Sequence, residues 1–427
     1  MVWWLLFWSF MNRYESYKEV NLPWLKEIPE GWGLVKNRNV FKYKKELNKN
    51  NSEKNILSLT LNGVINNDIN NPIGLSPKDY ATYQVFQRND LVFKLIDLNN
   101  IKTSRVGIVH EKGIMSSAYI RFINDKTWTC SKYYYYWFYK LYIEEVFNKL
   151  GNGVRETIGK DDLLNMLSPI PPLPEQEQIA NYLDWKINEI DRLIKIEKEK
   201  QILVKNVFNN ELKRKYISLR RYNMVSLKRI CTIFSGKEVV DEIHFKEGAI
   251  PVYGSGSIVF KYTSNVMLDG KFIIFGRKGT IGKPYIVNNK FWLVDTAYAA
   301  VNNDLVTFDY LFYLLRILNW EEFTTNTVKP SIVANQVIQT KIKLPVIKEQ
   351  NAITSDINIY EKNVNTILEF ISKKIKELES LKQSLISEVV TGKIDVRNVV
   401  IPEYEKVTLL YDETEEFDEM EGIEDGN

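Results

Sequence analysis

Apolar residues recur every seven positions through the last part of the chain, separated by polar and charged residues. The series is Ile357, Val364, Ile371, Leu378 and Leu385, with Ile367 and Leu381 at a companion position. An apolar repeat of seven residues is typical of a helix that packs in a coiled coil. Gly392 follows the series where glycine commonly ends a helix. The pattern therefore predicts a coiled-coil helix within residues 345–398.

A second, less regular apolar series follows a proline-rich stretch near the middle of the chain. The series is Leu183, Ile190, Leu193, Val204 and Val207, and the charged residues Glu197 and Lys200 interrupt it. Proline cannot continue a sheet ladder, so the prolines at 171, 172 and 174 end the preceding strand region. Glu175 then lies in a first helical turn, where the helix dipole favours acidic side chains. This pattern predicts a helix within residues 171–221.

The two helical stretches are copies of one pattern. One constant shift along the chain places Pro171 on Pro345 and Gln176 on Gln350. The shift holds without a gap from about residue 136 to residue 212, and apolar positions meet apolar positions throughout. A period this long is incompatible with a solenoid. It indicates two structurally similar halves.

Short apolar runs between Gly and Asn turns precede each predicted helix, which is typical of β-strands. We therefore predict an α+β fold with two β-rich domains, joined and separated by two long helices in a pseudo-two-fold internal repeat. The helices should pair as an antiparallel coiled coil, because neither apolar stripe is stable in water; the alternative is two separate helices, each on its own domain. The predicted segments are an N-terminal extension (1–19), a first β-rich domain (20–170), a first helix (171–221), a second β-rich domain (222–344), a second helix (345–398) and a tail (399–427).

Charge is unevenly distributed along the chain. Residues 412–427 hold nine acidic residues and no basic one, so that 57 basic residues face 45 acidic ones in residues 1–411, a net charge of +12. A basic body is compatible with a polyanionic partner, but solvated lysines would produce the same balance. The acidic tail is predicted to be disordered.

The first ten residues, MVWWLLFWSF, are too few to cross a bilayer, which takes about 20 apolar residues. Neither a basic region before them nor a cleavage site after them indicates a secretion signal, and Met11 is a second candidate start. The chain has two cysteines and two histidines, without the spacing of a metal site. Two lone thiols fit a reducing cytoplasm. We therefore predict a cytoplasmic protein that holds no metal.

No catalytic motif fits the chain. The stretch GRKGTIGKP, Gly276 to Pro284, has Arg277 where a phosphate-binding loop needs its first glycine, and a proline where it needs Ser or Thr. The triplet Asn71-Pro72-Ile73 lacks the second proline and the aromatic residue of an amino-methyltransferase motif. We therefore predict a non-catalytic protein that binds no cofactor itself.

The loops of both β-rich blocks carry basic and small polar residues, which suit contacts with DNA phosphates and base edges. The candidates in the first block are Lys94, Lys102, Thr103, Ser104 and Arg105. Those in the second block are Tyr253, Ser255, Ser257, Arg277, Lys278 and Thr280. The blocks are related here as well, since Gly107 matches Gly282 and Ala118-Tyr119 matches Ala297-Tyr298. For any one residue the alternative is an ordinary solvated turn.

Together these features resemble the DNA specificity subunit of type I restriction–modification systems. The resemblance rests on the duplicated Pro-x-x-x-Glu-Gln-x-x-Ile entry, on YKEVNLPWLKEIPEGW at 17–32 and on LISEVVTGKIDV at 385–396. The stretches DLVFKLIDLNN and FGRKGTIGK are similar to parts of its target-recognition domains. The resemblance covers about residues 13–398; residues 1–10 and the long acidic tail have no counterpart.

The resemblance implies that each β-rich block reads one half of a split double-stranded DNA site. The helices would form a spacer that docks two methylation subunits, and translocase–nuclease subunits would join the assembly. S-adenosylmethionine, ATP and magnesium would serve those partners, not this chain. If the helices set the distance between half-sites, one heptad added after Ile190 and one after Val364 should lengthen it. A scaffold without a DNA role and a fused methyltransferase remain the alternatives.

Overall fold

The structure is a computed structural model of the chain. It describes residues 12–61, 63–68, 79–96, 98, 105–150, 157–239, 241–244, 248–325 and 330–407. The first ten residues and the acidic tail therefore lie outside the described residues. Internal contacts divide the chain into unit 1, residues 1–197 and 374–427, and unit 2, residues 198–373. Both divisions fall inside a long helix, whereas the sequence-based segments placed each helix in a segment of its own.

The strands of unit 1 are short and antiparallel. They are β1 (Tyr17–Leu22), β2 (Leu25–Pro29), β3 (Gly33–Lys36), β4 (Phe41–Tyr43), β5 (Leu57–Thr60), β6 (Gly63–Asn66), β7 (Gln84–Phe86), β8 (Leu91–Lys94), β9 (Arg105–Ile108), β10 (Gly113–Met115), β11 (Ile120–Asn124) and β12 (Leu167–Ile170). The main sheet has the order β4-β11-β8-β9. The remaining strands form the pairs β1–β2, β3–β12, β5–β6 and β7–β10.

An aromatic helix covers the main sheet of unit 1. The helices are α1 (Asn37–Val40), α2 (Ser131–Ile143), α3 (Val146–Leu150), α4 (Lys160–Asn165) and the start of α5 (Leu173–Ile217). Residues four apart on a helix share a face, and Tyr134 and Phe138 of α2 both reach the sheet. The Phe138 ring lies 5.1 Å from that of Phe93, and the Tyr134 ring lies 5.1 Å from that of Phe41. All four side chains are buried, so this contact is the core of the unit.

Unit 2 is built around a larger sheet. Its strands are β13 (Asn223–Ser226), β14 (Cys231–Ser235), β15 (Ile250–Tyr253), β16 (Lys261–Thr263), β17 (Leu268–Gly276), β18 (Gly282–Leu293), β19 (Ala297–Asn302) and β20 (Lys341–Leu344). Six of them form a sheet of order β14-β19-β17-β18-β15-β16, in which only the β15–β18 pair is parallel, while β13 pairs with β20. Its helices are the end of α5, α6 (Phe308–Ile317), α7 (Ala334–Gln339) and most of α8 (Ile347–Val390).

The internal repeat extends into both sheets. The order β4-β11-β8-β9 of unit 1 recurs in unit 2 as β14-β19-β17-β18, and the pair β3–β12 recurs as β13–β20. The shift that places Pro171 on Pro345 also places the first residue of α4 on that of α7, and the first residue of α5 on that of α8. The predicted fold class, with two β-rich domains and two long helices, is confirmed.

Helices α5 and α8 run antiparallel to each other in each unit. In unit 1, Lys382 binds Asp191 at 2.7 Å and Lys374 binds Glu197 at 2.7 Å. In unit 2, the Gln201 side chain donates to Ser372 at 2.8 Å. Residue numbers rise on α5 as they fall on α8, which defines the antiparallel direction. Glu197, which interrupts the apolar series in the sequence, is buried, so its charge is paired inside the seam.

Most of the predicted seam residues are buried, but three are not. Six are buried, namely Leu183, Ile190, Ile357, Val364, Ile371 and Leu385, and three are half-buried, namely Val204, Leu378 and Leu381. The prediction is wrong for Leu193, Val207 and Ile367, which are 47%, 49% and 48% exposed. The companion positions on α8 are instead Leu368, which is half-buried, and Ile375, which is buried. Each follows a seam residue by four positions and not by three.

The beginning and the end of the described chain meet at the start of α5 in unit 1. The Trp32 indole donates to Glu175 at 2.9 Å, and the Tyr14 hydroxyl donates to the same carboxylate oxygen. Burial, followed by this hydrogen bond, raises the pKa of Tyr14. Gly392 ends α8 with φ of +73°, and a Cβ there would lie 2.5 Å from Pro29. The Tyr17 hydroxyl donates to the Gly392 carbonyl at 3.0 Å.

Candidate nucleic-acid interface

Five of the sequence-predicted DNA-contacting residues lie on equivalent hairpins of the two units. Lys94 and Arg105 belong to the pair β8–β9 of unit 1, and Arg277, Lys278 and Thr280 lie in the turn between β17 and β18 of unit 2. Each hairpin occupies the same place in its sheet order. The repeat thus gives the two hairpins corresponding places in their sheets, although the connecting segments differ in length.

The hairpin loop of unit 2 is tightly folded. A Cβ at Gly276 would lie 1.7 Å from the Thr280 carbonyl oxygen, so only glycine permits the chain to return on itself here. Gly279 has φ of +69°, in the left-handed region that favours glycine. This turn leaves the side chains of Lys278 and Thr280 exposed. The loop therefore presents basic and hydroxyl groups where β17 ends and β18 begins.

Arg277 and Lys278 are held by the neighbouring β18–β19 connection. Both backbone amides donate to the Thr296 carbonyl, at 2.8 and 3.1 Å. The Lys278 ammonium pairs with Asp295 at 2.9 Å, and both side chains are nearly half exposed. The Arg277 guanidinium lies 5.6 Å from the Tyr298 ring centre. A pair this exposed contributes little stability, so a DNA phosphate could replace Asp295 at low cost.

The β15–β16 connection lies beside this loop. Ser255 is close to it, since a Cβ on Gly276 would lie 3.1 Å from that of Ser255. Ser255 is half-buried and Ser257 is exposed. Tyr253 differs from them, because its ring packs 6.0 Å from Phe291 in the sheet core and not in the loop. The structure thus places Ser255 beside the basic loop, whereas the Tyr253 ring packs in the sheet.

In unit 1 the structure describes fewer of the predicted DNA-contacting residues than in unit 2. Lys94, half-buried, ends β8 and pairs in register with Arg105 at the start of β9. Lys102, Thr103 and Ser104 lie outside the described residues. The candidates of unit 1 therefore stay predictions, and the structure describes only the paired strands β8 and β9 on either side of them.

A second surface lies on the long helices, and it includes Leu193, Val207 and Ile367, which were predicted in the seam. In unit 2, Ile367 and Phe370 of α8 are 48% and 70% exposed, and Leu203 and Val207 of α5 are also exposed. Successive residues of a helix are rotated by about 100° around its axis, which places each pair about 60–120° away from the seam residues of its own helix, in the same rotational sense. Because the two helices run antiparallel, the two pairs lie on the same side of the helix pair. A groove of about 390 Å³ opens between the helices there, lined by Glu211, Lys215, Asp356, Ile359, Tyr360 and Asn363.

The same exposed pair occurs in unit 1. The shift of the internal repeat relates Leu193 to Ile367 and Ile196 to Phe370. Leu193 and Ile196 are 47% and 37% exposed. We name Leu193–Ile196 and Ile367–Phe370 the flank patches. In the sequence, these residues form a second apolar series that runs beside the seam series. The heptad pattern alone does not show which of the two series lies in the seam.

Comparison with known proteins identifies the family. The family model for the type I restriction modification DNA specificity domain matches residues 29–206 and 220–380. The chain belongs to this family. Each matched stretch of the specificity chain covers most of one β-rich block and most of the helix that follows it. The predicted family is therefore confirmed, and with it the DNA-recognition character of the repeated domain.

Individual relatives and solved structures are similar to this specificity chain. The type I restriction enzyme MjaVIII specificity subunit of Methanocaldococcus jannaschii is 26% identical over 331 residues, covering 68% of this chain and 76% of the relative. A chain from a structure described as showing complex assembly and conformational transition of the type I R-M system aligns with a TM-score of 0.62 at 16% identity, covering 86% of this chain and 99% of its own. The HsdS subunit of Thermoanaerobacter tengcongensis aligns at 15% identity over 86% of this chain and 98% of its own, with a TM-score of 0.40.

The helices of the described residues were compared with what a membrane span requires. None of the helices there combines the length and the apolar character that crossing a bilayer requires.

Proposed function

We propose that this chain is the DNA-reading subunit of a type I restriction–modification complex and recognises a bipartite double-stranded site. Each unit reads one half-site through the edge of its sheet where the β8–β9 or β17–β18 hairpin turns. The observation that carries this proposal is the repetition of one sheet order in both units, in which β8 and β9 hold the same places as β17 and β18, while the sequence between the strands of each pair carries basic residues. Because the loops differ in sequence and length, the two half-sites should differ as well.

The flank patches support the docking of partner helices. An exposed apolar row beside a coiled-coil seam favours the addition of a further amphipathic helix, which would bury it. The row occurs twice, once in each unit, which matches the two methylation subunits that the resemblance implies. We assign one methylation subunit to each patch. Translocase–nuclease subunits would then join through this assembly.

The chain itself performs no chemistry in this proposal. S-adenosylmethionine, ATP and magnesium would be bound by the partner subunits, and the complex would act in the cytoplasm, where it meets DNA. The two alternatives make different predictions. A scaffold without a DNA role would show no salt-dependent binding to duplex DNA, and a fused methyltransferase would transfer methyl groups without any partner.

An exchange of one recognition block tests bipartite reading. Residues 20–165 are replaced by the corresponding block of another specificity subunit, and methylated adenines are mapped in a host that expresses the full complex. One half-site should change while the other half-site stays the same. A simultaneous change of both half-sites, or methylation without a split site, would contradict the proposal.

A further inference from the structure

Among the residues of unit 2 that the structure describes, Ile258 is the most exposed large apolar side chain. It belongs to the seven-residue turn 254–260, GSGSIVF, which connects the antiparallel strands β15 and β16. Ile258 is 79% exposed and Phe260, in the same turn, is 53% exposed. Two exposed large apolar side chains in one turn beside a basic loop form a small patch, and such patches mark sites that a binding partner covers.

The position of this turn indicates what would cover Ile258. Its residue Ser255 lies against Gly276, at the base of the loop that carries Arg277 and Lys278. Lys261, which follows the turn directly on β16, pairs with Glu242 at 2.7 Å, an exposed ion pair of the same kind as Lys278–Asp295 that a phosphate could replace at low cost. An apolar protein partner would have to bury these cationic groups, whereas DNA would pair them with phosphates. A two-stranded hairpin also fits the major groove, where thymine is the base that presents a methyl group.

We infer that Ile258 is a specificity-determining residue that packs against the 5-methyl group of a thymine in the unit 2 half-site. This inference rests on the proposed function. Ser255 and Ser257 flank it and supply hydroxyl groups to neighbouring base edges. The basic loop holds the phosphates, which fixes the hairpin in the groove, and Ile258 then discriminates a methyl-bearing base from the others.

The test removes the methyl group from the DNA and the apolar side chain from the protein separately. Methylation mapping of the complete complex first gives the unit 2 half-site. Duplexes are then made with deoxyuridine in place of each thymidine of that half-site in turn. Binding of the wild-type complex should weaken about fourfold at one position, since burying one methyl group contributes about 0.8 kcal/mol.

The Ile258→Ala complex should bind the thymidine duplex about fourfold more weakly or worse, and it should no longer distinguish thymidine from deoxyuridine at that position. Val266→Ala is the matched control, because Val266 is also an exposed apolar residue but lies in the turn at the other end of β16. That variant should discriminate the two bases as the wild type does.

Three results would overturn the inference. One is unchanged binding of the wild-type complex to every duplex in which deoxyuridine replaces a thymidine of the unit 2 half-site. Another is equal discrimination by the wild type and by Ile258→Ala. The last is an Ile258→Ala variant that loses a protein subunit from the complex and keeps its discrimination, which would identify a protein partner at the turn. A wild-type complex that binds all duplexes equally, whatever their sequence, would contradict the proposed function itself, so the two failures are distinguishable.

Discussion

Gln176 and Gln350, which occupy the same position of the internal repeat, make the same hydrogen bonds in their two units. Each side-chain amide donates to the carbonyl of the proline five residues earlier, at 2.8 and 2.9 Å. Each side-chain oxygen accepts from the backbone amide of the residue that caps α2 or α6, Cys130 or Thr307, at 2.8 Å in both cases. Both glutamines are fully buried. One side chain thus ties the long helix to the helix that covers the sheet.

Replacing Gln350 by leucine should lower the free energy of unfolding by about 1–3 kcal/mol. The substitution leaves the Thr307 amide and the Pro345 carbonyl without this partner in a buried place, and unsatisfied buried groups carry that penalty. Denaturant unfolding of the purified chain measures the effect. Gln336→Leu is the control, because Gln336 is exposed on α7 and should stay within about 0.5 kcal/mol of the wild type. Equal stability of the two variants would show that the buried amide is dispensable.

The structural role of this glutamine explains why the Pro-x-x-x-Glu-Gln motif could be recognised in the sequence. Proline, glutamate and glutamine are local in sequence, and they recur because each unit needs the same joint. The hairpin β17–β18 was similarly indicated by its glycines, since a tight turn requires them at defined positions. Local requirements of this kind could be predicted, and they include the two helices, the repeat and the basic loops.

Contacts between distant parts of the chain were not predictable in the same way. The pairing of Lys278 with Asp295 and the burial of the Tyr253 ring against Phe291 both depend on how strands align in the sheet. The seam was predicted with a companion three positions after Val364, whereas the structure packs Leu368, four positions after it, against the core. A seven-residue repeat contains steps of both three and four, so the pattern alone does not select between them.

Replacing Arg277 and Lys278 by alanine should weaken DNA binding by the assembled complex and flatten its dependence on salt. Each lost phosphate contact reduces the slope of log K against log salt by about 0.9. Binding is measured at several salt concentrations. Lys290→Ala is the control, because Lys290 is exposed near the opposite end of β18. Unchanged affinity and slope in the double variant would place the loop away from DNA.

The flank patches make a prediction about stoichiometry. Phe370→Glu should leave a complex with one methylation subunit, because a charge at the centre of one apolar patch opposes its burial. Ile196→Glu should remove the other subunit, and the double variant should bind none. Mass measurement of the purified complexes counts the subunits.

The control for this prediction is Ile202→Glu. Ile202 is 60% exposed, but it lies about 160° from the seam residue Val204, on the face away from the patch. This variant should retain both methylation subunits. Equal loss of subunits from Ile202→Glu and Phe370→Glu would show that the helices dock partners without regard to the patches.

Adding one heptad to each long helix should lengthen the gap between the half-sites by about three base pairs. A heptad adds about 10 Å of helix and duplex DNA rises about 3.4 Å per base pair. The insertion points have to face each other across the seam. After Ile190 and after Val364 they do not, since Asp191 pairs with Lys382. Insertions after Lys198 and after Lys373 keep the Lys374–Glu197 and Gln201–Ser372 contacts intact.

Methylation mapping of the insertion variant measures the new gap. The half-site sequences should stay unchanged, and lower activity is expected because three base pairs also rotate one half-site by about 100° around the duplex, at about 10.5 base pairs per turn. Insertion in α5 alone is the control, and it should destabilise the chain because the added turns have no partner residues. Full activity at the original spacing would show that the helices do not set the distance.

The junction at the start of α5 has a consequence for the order in which the protein can be completed during synthesis. Unit 2 is one continuous stretch, residues 198–373, so its residues leave the ribosome in one uninterrupted series. Unit 1 is completed only later, because the Tyr17 hydroxyl and the Trp32 ring contact Gly392. Gly392 is synthesised 375 positions after Tyr17. Domains generally fold as units during translation. The recognition domain that is encoded first is therefore the one that is finished last, and a prematurely ended chain would leave its first half open to proteolysis.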